Sequence, residues 1–150
     1  MTPRNMTRVA LAILGLVGVQ VGVWAAFAPR SFYDDFPGSG RVWVAVDGPY
    51  NEHLVRDVGA LNLALAVVAV IAFVTLGRAA VAAAGGAWLA YGLPHLVYHL
   101  RHLDTLDDAD AVAVPVTLGL DVLLAGLVLW TAWRNPGEAF TSPEPRDLHT

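Results

Sequence analysis

The residues best suited to chemistry are histidines and carboxylates near the predicted ends of two helices. His95, His99 and His102 follow one another at intervals of four and three residues. At 3.6 residues per turn they lie along one helical stripe, with His95 about 8–10 Å deeper along the axis than His102. His53 stands at the start of another helix, one turn before Asp57 and on the same face. Neutral imidazole is a good ligand for zinc, copper or iron. Two histidines at i,i+4 can hold one ion from a single helix, and a group from a second helix closes the site. A carboxylate behind an imidazole fixes its tautomer and raises its basicity. The metal-ligand set read from the sequence is therefore His53, Asp57, His95, His99 and His102. Haem b needs only two imidazoles, drawn from His53, His95 and His99.

Three further residues support this set. Glu52 pairs with Arg56 at i,i+4. Tyr91 lies one turn before His95 on the same stripe, and Asp121 falls near the middle of an apolar block. An ionised Asp at such a depth costs about 2.5–3.5 kcal/mol on insertion scales. It should face a helix-bundle interior and be paired or protonated, with Tyr91 the first partner to name. No catalytic nucleophile is singled out. Histidine is also common at membrane interfaces, where its polar edge stays wet, so a satisfied polar cluster that binds nothing stands beside the metal reading.

Four apolar blocks must position these groups, at about residues 9–28, 58–76, 79–100 and 111–133. A helix of about 20 residues, rising about 1.5 Å per residue, crosses a hydrocarbon core of about 30 Å. The expected fold is an all-α integral membrane four-helix bundle, with one membrane domain over residues 1–133 and a disordered proline-containing tail over 134–150. Ala26-Phe27-Ala28 resembles a signal-cleavage site, but the block is longer than a signal core and Pro29 would follow the cut. It is read as the first span. Between helices 1 and 2 runs a long loop, Pro29 to Asp57, carrying Phe32, Tyr33, Phe36, Trp43 and Tyr50. Aromatic rings favour the headgroup level, so this loop should lie at the interface. Residues 42–46 are expected as a short strand or interfacial segment, Asp47-Gly48-Pro49 as a turn, and Asn51 as the N-cap of a helix from Glu52. Gly18, Gly22, Gly85, Gly86 and Gly92 are expected packing notches. Pro94 frees the Ala90 carbonyl and should kink the third span. Asp104, Asp107, Asp108 and Asp110 lack the order of a calcium loop and read as a solvated turn whose last Asp caps the fourth span.

Composition excludes several classes. The chain has 150 residues, 56% hydrophobic and 15% charged, with a formal charge of -4 and no cysteine. Soluble domains carry about a quarter charged residues. A net negative chain does not fit nucleic acid, and without thiols there is no disulfide exchange or thiolate metal site. No nucleotide-binding loop or hydrolase elbow is present. With four spans both termini share a side. Arg4, Arg8, Arg78, Arg134 and Arg146 lie there, against Arg30, Arg41, Arg56 and Arg101 opposite. That bias places the termini in the cytoplasm and the histidines outside, in a cell-membrane protein.

Three functions follow. The first is a metal- or haem-binding membrane protein, with oxidoreductase chemistry the enzyme reading. The second is a proton- or ion-coupled transporter through His95, Tyr91 and Asp121. The third is a non-catalytic accessory subunit, docking through the aromatic loop. The bilayer is the expected partner, with a homodimer or a membrane complex beyond it.

Two segments, Asp47-Gly48-Pro49-Tyr50-Asn51-Glu52-His53-Leu54-Val55-Arg56-Asp57-Val58-Gly59 and Pro94-His95-Leu96-Val97-Tyr98-His99-Leu100-Arg101-His102, look like those of a small actinobacterial four-span membrane family. The layout from Phe27 to Trp133 is similar to DoxX-like proteins. The resemblance implies a four-helix bundle in the plasma membrane and no established activity. The lack of cysteine departs from the thiol-linked redox roles associated with DoxX-like proteins.

Overall fold

Three of the four long helices begin where a side chain or a proline accommodates free N–H groups, and the third span begins after Gly77 with no side-chain cap. The structure, a computed structural model, describes residues 2–134. The predicted disordered tail lies outside the described residues apart from Arg134. Helix α1 spans Pro3–Phe27, α2 Pro29–Asp35, α3 Glu52–Thr75, α4 Arg78–Leu100 and α5 Asp110–Arg134. Strands β1 (Pro37–Gly38) and β2 (Arg41–Val42) pair antiparallel. A single 3₁₀ turn, Leu103–Thr105, precedes α5. Helices α1, α3, α4 and α5 are each long and apolar enough to cross a bilayer, so the chain is a multi-pass membrane protein with an all-α bundle.

Two spans start several residues before their apolar blocks. At α1 the Thr2 hydroxyl accepts from the Asn5 N–H at 3.3 Å, and Pro3 occupies a first-turn position that needs no donor. At α3 Asn51 caps the Leu54 N–H at 3.2 Å, as expected from the sequence. The expected cap of the fourth span needs correction. Asp107 accepts from the Asp110 N–H at 2.8 Å, while Asp110 is the first residue of α5. Its carboxylate is thereby released for another partner. Helix α4 continues through Pro94 to Leu100.

Helix α1 packs along α3, and α4 along α5; narrower seams join α3 to α4 and α1 to α5. Small residues set the two close pairs. A methyl at Gly18 would stand 2.9 Å from the Asn62 carbonyl oxygen, and one at Gly22 2.8 Å from the Leu63 side chain. Gly59 lies against the Ala26 backbone, and a methyl at Gly85 would stand 2.7 Å from the Leu129 nitrogen. Without a hydrophobic force between helices in lipid, such close approach supplies the packing. Gly92 meets Val122, but Gly86 faces open space and is no notch.

The core near the chain termini is dry, built from Leu11, Leu14, Ala69, Ala72, Val81, Ala84, Ala125 and Val128. At its edge Thr7 donates to the Thr131 hydroxyl at 3.0 Å, joining α1 to α5. A second cluster, centred on Ala25, Phe32 and Val55, seats the long loop on the opposite end. That loop contains an unpredicted helix, α2, with Pro29 in its first turn. The segment expected as a strand over residues 42–46 pairs only at Val42, because Gly38, Ser39 and Gly40 take positive φ and turn the chain tightly.

Candidate functional site

A ladder of polar side chains runs along α4 inward from the loop side and reaches Asn62 of α3 at its inner end. At its outer end the Asp47 carboxylate accepts from the Tyr98 hydroxyl at 3.1 Å. The Tyr98 ring stacks on His102, centroids 4.2 Å apart, and meets His99 edge-on at 5.5 Å. The His102 Nδ1 bonds the Tyr98 carbonyl at 2.8 Å, which fixes the ring over the helix end. His99 meets His95 at 4.8 Å, and His95 stacks on Tyr91 at 5.3 Å. At the inner end Asn62 Nδ2 donates to the Tyr91 hydroxyl at 3.3 Å and to the Val58 carbonyl at 2.9 Å. Asn62 is only 2% exposed. The spacing 91, 95, 99 on one helix produces this stack directly, since each step is about one turn.

The stripe read from the sequence is thus assembled along α4, but its cross-helix partners are not those expected. His53 pairs with Asp57 at 3.3 Å, and both side chains are exposed, at 88% and 61%. Glu52 binds Arg56 at 2.9 Å, as the spacing predicts, and Arg56 also donates to the Ala26 carbonyl. Among the described residues no three His, Asp or Glu side chains come together in a group able to hold a metal ion. The carboxylate tied to this stripe is Asp47, from the loop, through its bond with Tyr98, while Asp57 pairs with His53. Tyr98 and Asp47 were missed. An aromatic three residues after His95 and an Asp in the preceding turn were the available signals, but only the fold brings them together.

Asp121 is half-buried on α5. It forms no hydrogen bond among the described residues; the partner that hydrogen-bonds Tyr91 is Asn62 instead. Below this level Trp88, 2% exposed, donates to the Leu65 carbonyl at 3.3 Å and marks the floor of the polar seam.

A groove of about 540 Å³ opens between α3 and α4 beside the ladder. Leu61 and Leu65 form one wall, Ala87 and Ala90 the other, with Tyr91, Pro94 and His95 at its loop-side end.

The loop above is tied down by charge. Arg41 pairs with Asp110, whose side chain is 7% exposed. This joins the β-hairpin to the start of α5 and gives the residue released from capping a structural role. Arg30 binds Asp34 through two bonds of 2.7 and 2.9 Å, which raise the guanidinium above its ordinary range. The same group lies over the rings of Tyr33 and Tyr50, 5.6 and 5.0 Å from their centroids, and partial desolvation raises the Tyr50 phenol.

Comparison with protein families, curated proteins and solved structures gives no match.

Proposed function

We propose that this multi-pass membrane protein moves protons through the ladder of His99, His95 and Tyr91 with Asp121 beside it, as part of a proton-coupled transport activity. The observation that carries this reading is the continuous stack from the loop side to Asn62, set in a membrane span, with Asp121 half-buried in the neighbouring span and forming no hydrogen bond among the described residues. Ionisable residues in a span are costly to insert and mark ion routes. Imidazole accepts a proton on one nitrogen while releasing one from the other, and transfer between these rings would pass through bridging water.

The seam is closed on the termini side by the apolar core. Transport to that side therefore requires the α1/α3 pair to rock against the α4/α5 pair along the narrower seams, the motion used by transporters built from two packed halves. The arginine distribution supports cytoplasmic termini and an extracytoplasmic ladder.

The test is reconstitution into vesicles with a trapped pH-sensitive dye and an imposed pH gradient. Vesicles with protein should lose the gradient faster than empty ones, and Asp121→Asn and His95→Leu should each slow the protein-dependent loss about 100-fold, the low end of general acid–base effects of about 10²–10⁴. Equal rates for the wild type and Asp121→Asn overturn the relay.

The His95–His99 approach of 4.8 Å supports a second reading, in which the two imidazoles give one helix's share of a zinc, copper or iron site, or of haem b. Elemental analysis and an absorbance spectrum test it on the wild type, His95→Ala and His99→Ala. Colourless, metal-free protein after metal supplementation ends it.

A further inference from the structure

We infer that the lipid-facing groove between α3 and α4 binds a lipid-soluble molecule carrying a hydroxyl group, with its head at Tyr91, His95 and the Ala90 carbonyl. Three features converge there. Pro94 has no N–H, so the Ala90 carbonyl loses its partner one turn ahead and remains an acceptor. Both residues line the groove. The Tyr91 hydroxyl accepts from Asn62, which leaves its own hydrogen free to donate. The His95 ring nitrogens bond no group among the described residues, and a neutral imidazole offers one acceptor and one donor. Hydrocarbon cannot satisfy any of these groups, and polar groups left unpaired in a bilayer are strongly unfavourable.

A hydroxyl is the smallest group that answers them together. It accepts from Tyr91 and donates to Ala90 or His95. The rest of the groove is apolar, and its volume of about 540 Å³ falls within the usual range for small-molecule sites, about 300–1,000 Å³. Leu61, on one wall, is itself exposed, so entry is from the lipid. The space exists because α4 carries no exposed large apolar residue before Leu93, unlike α1, α3 and α5. Ala87 and Ala90 take up those positions. The site shares Tyr91 and His95 with the proposed relay but needs no proton movement. Ligand binding without proton flux would overturn the relay and leave this inference standing.

The experiment uses the full chain in lipid nanodiscs and a long-chain alkanol bearing a photoreactive diazirine, with its methyl ether as control. Labelled peptides are identified by mass spectrometry. The alkanol should label the α4 segment around Ala87–His95 saturably, and the methyl ether, which cannot donate, about tenfold less. Ala87→Leu should fill the groove and lower labelling about tenfold. Pro94→Ala, which returns an N–H to the Ala90 carbonyl without filling space, should lower it about threefold. Equal labelling by alkanol and ether, non-saturating labelling, or labelling unchanged in correctly folded Pro94→Ala overturns the inference. So does a cross-linked dimer through α4 that excludes the probe.

Discussion

The two ends of this bundle are built on opposite principles. Near the termini the four helices meet through alanine, valine and leucine, with one hydroxyl pair, Thr7 and Thr131, at the edge. Near the loops the α3/α4 seam holds two histidines, a tyrosine, an asparagine and a nearby carboxylate, and opens sideways into a groove. The same helices run through both halves. The difference teaches that in a membrane, where apolar surface alone does not drive helices together, residue size decides where they close. Glycines lock the pairs, and the α3/α4 seam left outside those contacts is where the polar groups collect.

Substitutions at the close approaches should break this division most severely. A methyl at Gly59 meets the Ala26 backbone, which cannot rotate away. Gly59→Ala should cost about 3 kcal/mol, the upper end of ordinary overpacking, read from unfolding in mixed detergent micelles. Gly85→Ala should cost a similar amount against Leu129, while Gly86→Ala, one residue along and facing open space, should stay within about 0.5 kcal/mol. Equal effects at Gly85 and Gly86 would show that helix propensity, not contact, governs α4.

The loop clamp comes next. Arg41→Ala leaves the Asp110 carboxylate buried without its partner and should cost about 2 kcal/mol, less than a fully buried pair because Arg41 is 44% exposed. Asp110→Asn should cost only about 1 kcal/mol, since the guanidinium left behind can hydrate. The reverse order would mean that Asp110 has a second stabilising partner.

Smaller still is the hydroxyl pair in the dry half. A double-mutant cycle on Thr7→Val and Thr131→Val should give a coupling of about 0.6 kcal/mol, the mean for interhelical hydrogen bonds in membranes. At the bottom of the scale, Glu52→Gln should change stability by less than about 0.5 kcal/mol, because the Glu52–Arg56 pair is exposed on both sides.

Much of the architecture could be read from local pattern. The spans followed from the lengths of the apolar blocks, the Asn51 cap from residue type, and the Glu52–Arg56 and His53–Asp57 contacts from i,i+4 spacing. Helix α2 escaped because it is a short segment whose apolar residues look like interfacial aromatics. Trp24, Phe32 and Phe36 instead pack against one another, with centroids 4.7–5.9 Å apart. The cross-helix half of the site also escaped. His53 and Asp57 looked suitable because their helix end lies on the right side of the membrane. Which face of α3 turns inward depends on where Gly18, Gly22 and Gly59 let α1 approach, and that rotation exposes His53 while burying Asn62.

By itself the sequence determined four membrane-crossing helices and a stripe of His95, His99 and His102 with Tyr91 on its inward side. Both follow from the rise and period of a single helix. Only the tertiary structure decided what the stripe faces: Asp47 and Tyr98 at its outer end, Asn62 at its inner end and a lipid-open groove at its flank. Those neighbours come from different segments, and although glycine positions mark notches at Gly18, Gly22 and Gly85, they do not say which face of a partner helix each one meets.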